Sequence, residues 1–232
     1  MEVLTIQQGE KLMNKIRQVI FDMDGLLFDT ERIAYKALKK AMGQAGYQLS
    51  MDIYSLVIGS GVQEEEKILQ GVYGDDFSLS LVTENYLKEF QHIVETEGVG
   101  IMPGVHELLD ILDELHIKKC VASSSSLTTI KHYLTMNELT DRFDFYMSGE
   151  EVERGKPNPD IFIEACRRAG EKPDTALVLE DSPNGLRAAY AAGIKCIVIP
   201  DLVSPNQEMK TKAYKIADSL FDVRDMFRRI KL

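Results

Sequence analysis

The sequence predicts an α/β protein whose parallel sheet is interrupted by a helical insertion. Five short apolar runs, rich in β-branched residues, alternate with amphipathic stretches of helix length, and this alternation is typical of βαβ units around a buried parallel sheet. The runs occupy residues 17–21, 118–123, 143–148, 176–180 and 195–199. Between the first two runs, residues 31–97 show only helical patterns and contain none of the chain's seven prolines.

The interrupting segment predicts helices over residues 31–46, near 64–71 and over 81–97. Apolar residues in the last of these recur at a spacing of about 3.6, the period of an α-helix. The chain then re-enters the sheet pattern through Gly100, Pro103 and Gly104, which are turn or hinge residues.

These patterns divide the chain into two domains. We assign residues 1–30 and 99–232 to an α/β core and residues 31–98 to an inserted helical domain. Residues 1–15 form an N-terminal extension with no assigned role.

Composition narrows the class of protein. The chain has no run of eighteen apolar residues, and its first fifteen residues lack the apolar region of a signal peptide, so we expect a cytoplasmic protein without a membrane partner. A formal charge of −10 argues against the electropositive surface that nucleic acid requires. The three cysteines, Cys120, Cys166 and Cys196, are too scattered for a zinc site and are interpreted as reduced core thiols.

Polar side chains follow four of the predicted strands, where ligands bind in open parallel sheets. Each group alone has an ordinary interpretation as a turn, a helix cap or a surface residue. Their convergence on one edge of a sheet favours a functional site. In chain order the groups are Asp22 with Asp24, the serine run Ser123–Ser126, Lys156, and Glu180 with Asp181.

The chemistry of these groups is complementary. Carboxylates without a nearby histidine form an oxygen-only site that suits Mg²⁺, and a lysine with hydroxyl groups suits a phosphate. We therefore predict phosphoryl transfer, with Asp22 as the nucleophile that forms an aspartyl-phosphate and Asp24 as the general acid and base. Lys156 and the Ser123 hydroxyl would stabilise the negative charge of the transition state.

Four motifs resemble those of the haloacid dehalogenase superfamily, and in particular its β-phosphoglucomutase-like phosphatases with a helical cap. FDMDG (21–25) is similar to the first motif, VASSS (121–125) to the second, GKPNPDIF (155–162) to the third and LEDSPNG (179–185) to the fourth. The resemblance runs from about Arg17 to the end of the chain.

The resemblance implies a three-layer, Rossmann-like core with residues 31–98 as the cap domain. It implies Mg²⁺ held by the Asp22 side chain, the Asp24 backbone carbonyl and Asp181, with Glu180 in or beside the metal shell. It also implies a small phosphorylated metabolite, such as a sugar phosphate, as the substrate. The expected substrate contacts are Gly25, Ser124 and Glu31. The residues do not determine oligomeric state, and a monomer is our default expectation.

The main alternative is a sugar-phosphate mutase of the β-phosphoglucomutase type. That pattern places a histidine twelve residues after the nucleophile, where this chain has Ala34. It also has a cap arginine for the second phosphate, whereas the segment GSGVQEEEKIL (59–69) offers Gln63 and acids.

Three other activities are less consistent with the sequence. Related dehalogenases lack the second aspartate of the first motif, which is present here as Asp24. Phosphonate hydrolases use a cap lysine, and the candidates Lys36, Lys39 and Lys40 lie on a charged helix that we expect to face solvent. A non-catalytic phospholigand-binding protein should have lost Asp22 or Asp24.

Overall fold

The computed structural model describes residues 12–58 and 61–230. The first eleven residues of the predicted N-terminal extension, together with Gly59 and Ser60 of the predicted cap, lie outside the described residues. The chain divides into two compact units. One unit comprises the chain through Phe28 and from Ile101 onward, and the other comprises Asp29–Gly100.

The larger unit contains the predicted parallel sheet. Its strands are β1 (Gln18–Phe21), β2 (Lys118–Ser123), β3 (Phe145–Ser148), β4 (Ala176–Glu180), β5 (Lys195–Val198) and β6 (Lys215–Ile216). The order is β3-β2-β1-β4-β5-β6, and every neighbouring pair is parallel. The five predicted strands are confirmed. The sixth was missed because a strand of two residues shows no periodic pattern.

The smaller unit consists of helices α1 (Thr30–Gln44), α2 (Met51–Tyr54), α3 (Val62–Tyr73) and α4 (Ser80–Glu97). Helices α1 and α4 pack against each other. Helix α2 was not predicted because it is a single turn; it begins after Ser50, whose side chain accepts a hydrogen bond from Ile53 N at 3.3 Å.

The remaining helices flank the sheet. They are α5 (Val105–Glu114), α6 (Leu127–Met136), α7 (Asp160–Ala169), α8 (Pro183–Ala191), α9 (Gln207–Lys212) and α10 (Leu220–Arg229). From β1, the sheet extends on one side through β2 to β3 and on the other side through β4 and β5 to β6. Right-handed crossovers therefore place helices on both faces of the sheet, which gives the expected three-layer, Rossmann-like core.

The sheet centre is fully buried and its helices are locally capped. Every residue of β1 and β4 is buried, as expected of central parallel strands covered on both faces. The Ser126 side chain caps α6 by accepting from Thr129 N, and Ser182 caps α8 by accepting from Gly185 N. Helix capping, one of the ordinary interpretations of these polar segments, is therefore confirmed here, although neighbouring serines and Ser182 also contact residues of the site described below.

The cysteine prediction is confirmed in its structural part. All three cysteines are free and buried. Burial raises the pKa of the Cys166 thiol to about 11, so this sulfur stays protonated near neutral pH.

Among the described helices, none has an apolar run long enough to cross a bilayer.

Candidate active site

The turn after β1 fixes the backbone of the first motif. Asp22 N donates to Leu179 O at 3.0 Å, which extends the β1–β4 ladder by one residue. Gly25 then takes a φ of +78°, a conformation that favours glycine, and its N–H donates to Phe28 O at 2.9 Å. Asp24 and Gly25 thus belong to a tight turn, and the same turn leaves both aspartates at the carboxyl edge of the sheet.

The Lys156 ammonium group bridges the carboxyl ends of three strands, β1, β2 and β4. Its Nζ lies 2.5 Å from Asp22 Oδ1, 2.7 Å from Glu180 Oε1 and 2.9 Å from Ala122 O. The three donors of the ammonium are therefore all used, and the side chain is almost entirely buried. The Phe162 ring covers the ammonium with its centroid 5.0 Å away. The Lys156–Pro157 peptide bond, whose isomer the sequence leaves open, is cis.

Glu180 is held on both carboxylate oxygens. Oε1 accepts from Lys156, while Oε2 accepts from Ser182 N at 3.1 Å and from Ser182 Oγ at 2.9 Å. The residue has no exposed surface. A Cβ atom on Gly185 would overlap the Glu180 carboxylate, so this glycine is needed for the carboxylate to occupy its position.

An acidic cluster lies beside this lysine. Asp22, Glu180 and Asp181 each offer a carboxylate oxygen, and these oxygens lie within 4.8 Å of one another. An oxygen-only donor set of this kind fits a hard divalent cation such as Mg²⁺. Asp24 contributes no side-chain oxygen to the cluster; its predicted role as a ligand concerns the backbone carbonyl and stays a prediction.

Burial and charge oppose each other at Asp22. Burial, together with the neighbouring Glu180 and Asp24 carboxylates, raises the pKa of the Asp22 carboxyl to about 8, although the Lys156 ammonium acts to lower it. A cation bound at the cluster would favour the ionised carboxylate.

The Asp24 side chain turns toward the serines after β2. Its Oδ2 accepts from Ser125 Oγ at 2.8 Å and from Ser123 Oγ at 3.3 Å. Ser123 Oγ in turn accepts from Ser125 N at 3.0 Å. Ser125 belongs to the serine run expected at the site, but no individual role was predicted for it; its position two residues after Ser123 is the signal that could have identified that role.

Two of the predicted substrate contacts are not among the hydrogen-bonded residues described above. Ser124 is exposed, and its side chain makes no hydrogen bond within residues 12–58 and 61–230. Glu31 belongs to the helical unit, where its Oε2 accepts from the Tyr54 hydroxyl at 3.0 Å. The substrate-binding roles of Ser124, Gly25 and Glu31 stay predictions.

Comparison with known proteins identifies the family. The family model for haloacid dehalogenase-like hydrolases matches residues 19–199. Hexitol phosphatase B of Escherichia coli K12 is 33% identical over 191 residues, which cover 80% of this chain and 84% of that protein. The phosphorylated carbohydrates phosphatase of Thermotoga maritima is 32% identical over 182 residues, which cover 77% of this chain and 82% of that protein.

A solved structure agrees with these sequence matches. The crystal structure of CbbY from Rhodobacter sphaeroides in complex with phosphate matches with a TM-score of 0.71 and 27% identity, covering 90% of this chain and 96% of that one. The four motifs are thus present in order on the expected fold. The chain belongs to the haloacid dehalogenase-like hydrolase family and is a phosphatase of that family.

Proposed function

We propose that this protein is a Mg²⁺-dependent phosphatase that hydrolyses small phosphomonoesters through an aspartyl-phosphate on Asp22. The observation that carries the proposal is the bridge of Lys156 between Asp22 and Glu180, beside the acidic cluster at the carboxyl edge of the sheet. The named activities of the relatives on hexitol and carbohydrate phosphates support a sugar phosphate or sugar-alcohol phosphate as the substrate.

The hydrogen bonding of Asp22 suits a nucleophile. Lys156 binds Oδ1, whereas Oδ2 makes no hydrogen bond to any described residue. Oδ2 would attack phosphorus in line, forming an Asp22–O–P bond as the bond from phosphorus to the ester oxygen breaks. The fixed ammonium of Lys156 would offset repulsion between the carboxylate and the phosphate dianion.

Asp24 would carry the proton in both halves of the reaction. As a general acid it would give its proton to the departing ester oxygen, so that the product leaves as an alcohol. As a general base it would then accept a proton from the water that attacks the aspartyl-phosphate and releases inorganic phosphate. The Ser123 and Ser125 hydroxyls hold this carboxylate two residues beyond the nucleophile.

Asp22 and Asp181 are the proposed side-chain ligands of Mg²⁺, with the Asp24 carbonyl as a third protein ligand. The bound ion would supply positive charge that stabilises the transferring phosphoryl group. Both Glu180 oxygens are already engaged by Lys156 and Ser182, which supports a place beside the metal shell for Glu180 and a main role in positioning the lysine.

We also propose that the insertion over residues 31–98 is the cap domain of the family and that the enzyme acts in the cytoplasm. The mutase alternative lacks support from the helical unit. Ala34 occupies α1 where the mutase pattern has histidine, and it lines a pocket whose described walls carry no lysine, arginine or histidine. The described walls therefore supply no cationic side chain for the second phosphate of a sugar bisphosphate.

The test is phosphate release by the purified protein with Mg²⁺ across sugar, sugar-alcohol and other small phosphomonoesters. Conversion of β-glucose 1-phosphate to glucose 6-phosphate is followed in parallel. Release of inorganic phosphate that stops on chelation and resumes with added Mg²⁺ is expected. Isomerisation without net release would establish the mutase instead, and no turnover of any ester would favour a phospholigand-binding protein.

A further inference from the structure

The helical unit contains a pocket of its own. Its cavity volume is about 320 Å³, at the lower end of the range for small-molecule sites. Residues of α1, α3 and α4 and of the segment that includes α2 line it. All the lining residues belong to the unit Asp29–Gly100, so the pocket is a property of that unit by itself.

The walls are mostly apolar, with two tyrosine rings. Aliphatic side chains such as Leu38 and Val82 line it together with Tyr54 and Tyr86. Two large apolar side chains of the lining are exposed to solvent: Leu87 is 58% exposed and Val62 is 72% exposed. A ligand with an apolar face would cover this surface and gain the free energy of removing it from water.

Among the described residues of the lining, the charged side chains are two carboxylates. Glu31 accepts the hydrogen bond from Tyr54, whereas the Glu65 carboxylate makes no hydrogen bond or ion pair among the described residues. Glu65 is partly buried, and this burial raises the pKa of its carboxyl group. The described lining contains no lysine, arginine or histidine.

We propose that this pocket binds an uncharged or cationic organic group that has an apolar face and at least one O–H or N–H donor, and that it excludes anions. A donor from the ligand would satisfy the Glu65 carboxylate, and a cationic donor would form a charge-assisted hydrogen bond with it. An anion would instead lie between two carboxylates inside apolar walls, where repulsion is poorly screened.

A group of this chemical class can reach the pocket from two sources. The group is either the alcohol part of the phosphomonoester, in which case the inference rests on the proposed phosphatase function, or a free small molecule. In the first case the enzyme acts on phosphate esters of uncharged or cationic alcohols and discriminates against bisphosphates and phosphorylated acids.

The test measures binding, so that it does not depend on turnover. Benzylamine, benzyl alcohol and benzoate share one ring and differ in charge, and their binding to the full chain is measured by ligand-observed NMR. Benzylamine and benzyl alcohol should bind, and benzoate should not. Equal binding of benzoate, or no binding of the amine and the alcohol, would overturn the proposal.

Substitutions then locate the bound probe. Glu65→Gln should weaken benzylamine binding about tenfold, the usual effect of losing a charge-assisted hydrogen bond, and should change benzyl alcohol binding less. Glu64→Gln is the matched control, since Glu64 is the exposed neighbour on α3 and does not line the pocket. Glu65→Lys should abolish benzylamine binding and admit benzoate. Equal effects of the Glu64 and Glu65 variants would place the probe elsewhere and refute the inference.

A kinetic experiment distinguishes the two sources. Benzyl alcohol should inhibit phosphate release competitively if the pocket holds the alcohol part of the substrate, and non-competitively if it holds a separate molecule. Either type of inhibition supports binding of benzyl alcohol in this pocket, provided that Glu65→Lys weakens the inhibition and Glu64→Lys does not. Probe binding by a protein without phosphatase activity would refute the proposed function and leave the ligand class intact.

Discussion

Lys156 and Glu180 form an ion pair in which the Nζ–Oε1 distance is 2.7 Å and neither side chain is appreciably exposed. The pair connects the loop after β3 with the end of β4, two segments that are distant in the sequence. Because the same ammonium also binds Asp22, the position of the nucleophile depends on a carboxylate that is itself held by Ser182.

Replacement of Lys156 should destabilise the protein strongly. Lys156→Met keeps a similar length but leaves two buried carboxylates without their cation, and the free energy of unfolding should fall by about 3 kcal/mol or more. Denaturant unfolding at pH 7 without Mg²⁺ measures it. Lys88→Met is the control, because Lys88 pairs with Glu84 at the exposed surface of α4, where little change is expected. Similar losses in both variants would contradict a special role for the buried pair.

Asp22→Asn should abolish turnover and preserve the fold. The amide has nearly the shape of the carboxylate but is a poor nucleophile, so kcat should fall by about 10⁴-fold or more. Phosphate release and circular dichroism together measure the effect, with Asp75→Asn, an exposed aspartate of the helical unit, as the control. Retained turnover in the Asp22 variant would exclude this residue as the nucleophile.

Asp24→Asn should make turnover depend on the leaving group. An alkoxide needs a proton from the general acid, whereas an activated aryl oxide leaves without one. The rate with an alkyl phosphate should fall by about 10²-fold or more, and aspartyl-phosphate formation from 4-nitrophenyl phosphate should fall much less. Burst kinetics isolate that first step. Equal losses with both esters would argue against proton transfer by Asp24.

Asp181→Asn should weaken Mg²⁺ binding by a measurable amount. The substitution removes one charged oxygen from the acidic cluster, so the Mg²⁺ concentration for half-maximal activity should rise by about tenfold or more. Saturating Mg²⁺ should restore most of the rate. An unchanged Mg²⁺ dependence would show that the ion, if required, is held by other residues.

Gly185→Ala should damage the site from a position outside it. The added Cβ would overlap the Glu180 carboxylate, so the free energy of unfolding should fall by about 1–3 kcal/mol and kcat should fall as Lys156 shifts. Gly71→Ala on α3 is the matched control, because a Cβ there meets nothing and alanine favours the helix by roughly 1 kcal/mol. Unchanged stability and activity at residue 185 would mean that Glu180 has no fixed position.

Much of the fold was predictable because its signals are local. Strand β4, with ALVLE entirely buried, and helix α4, with its apolar spacing, express their structure in short continuous patterns. Strand β6 and helix α2 were missed because two to four residues carry no period. Their formation depends on pairing and packing with residues remote in the sequence.

In the candidate active site, too, some features follow from the sequence and others only from the tertiary structure. The types of its residues and the edge of the sheet where they meet follow from the sequence, because parallel strands bring their carboxyl ends together. Which carboxylate contacts which partner does not follow, since Asp24 turns to Ser125 and Glu180 turns to Lys156 only through the packing around them.

The sequence by itself determined the parallel α/β core, the helical insertion and the family, because periodicity and motif spacing depend only on the linear order of the residues. Only the tertiary structure decided that Lys156 is shared by Asp22 and Glu180, and that Glu31 and Glu65 line one apolar pocket. Those relationships join side chains from separate elements. Their distances depend on how the elements pack, and no local pattern encodes them.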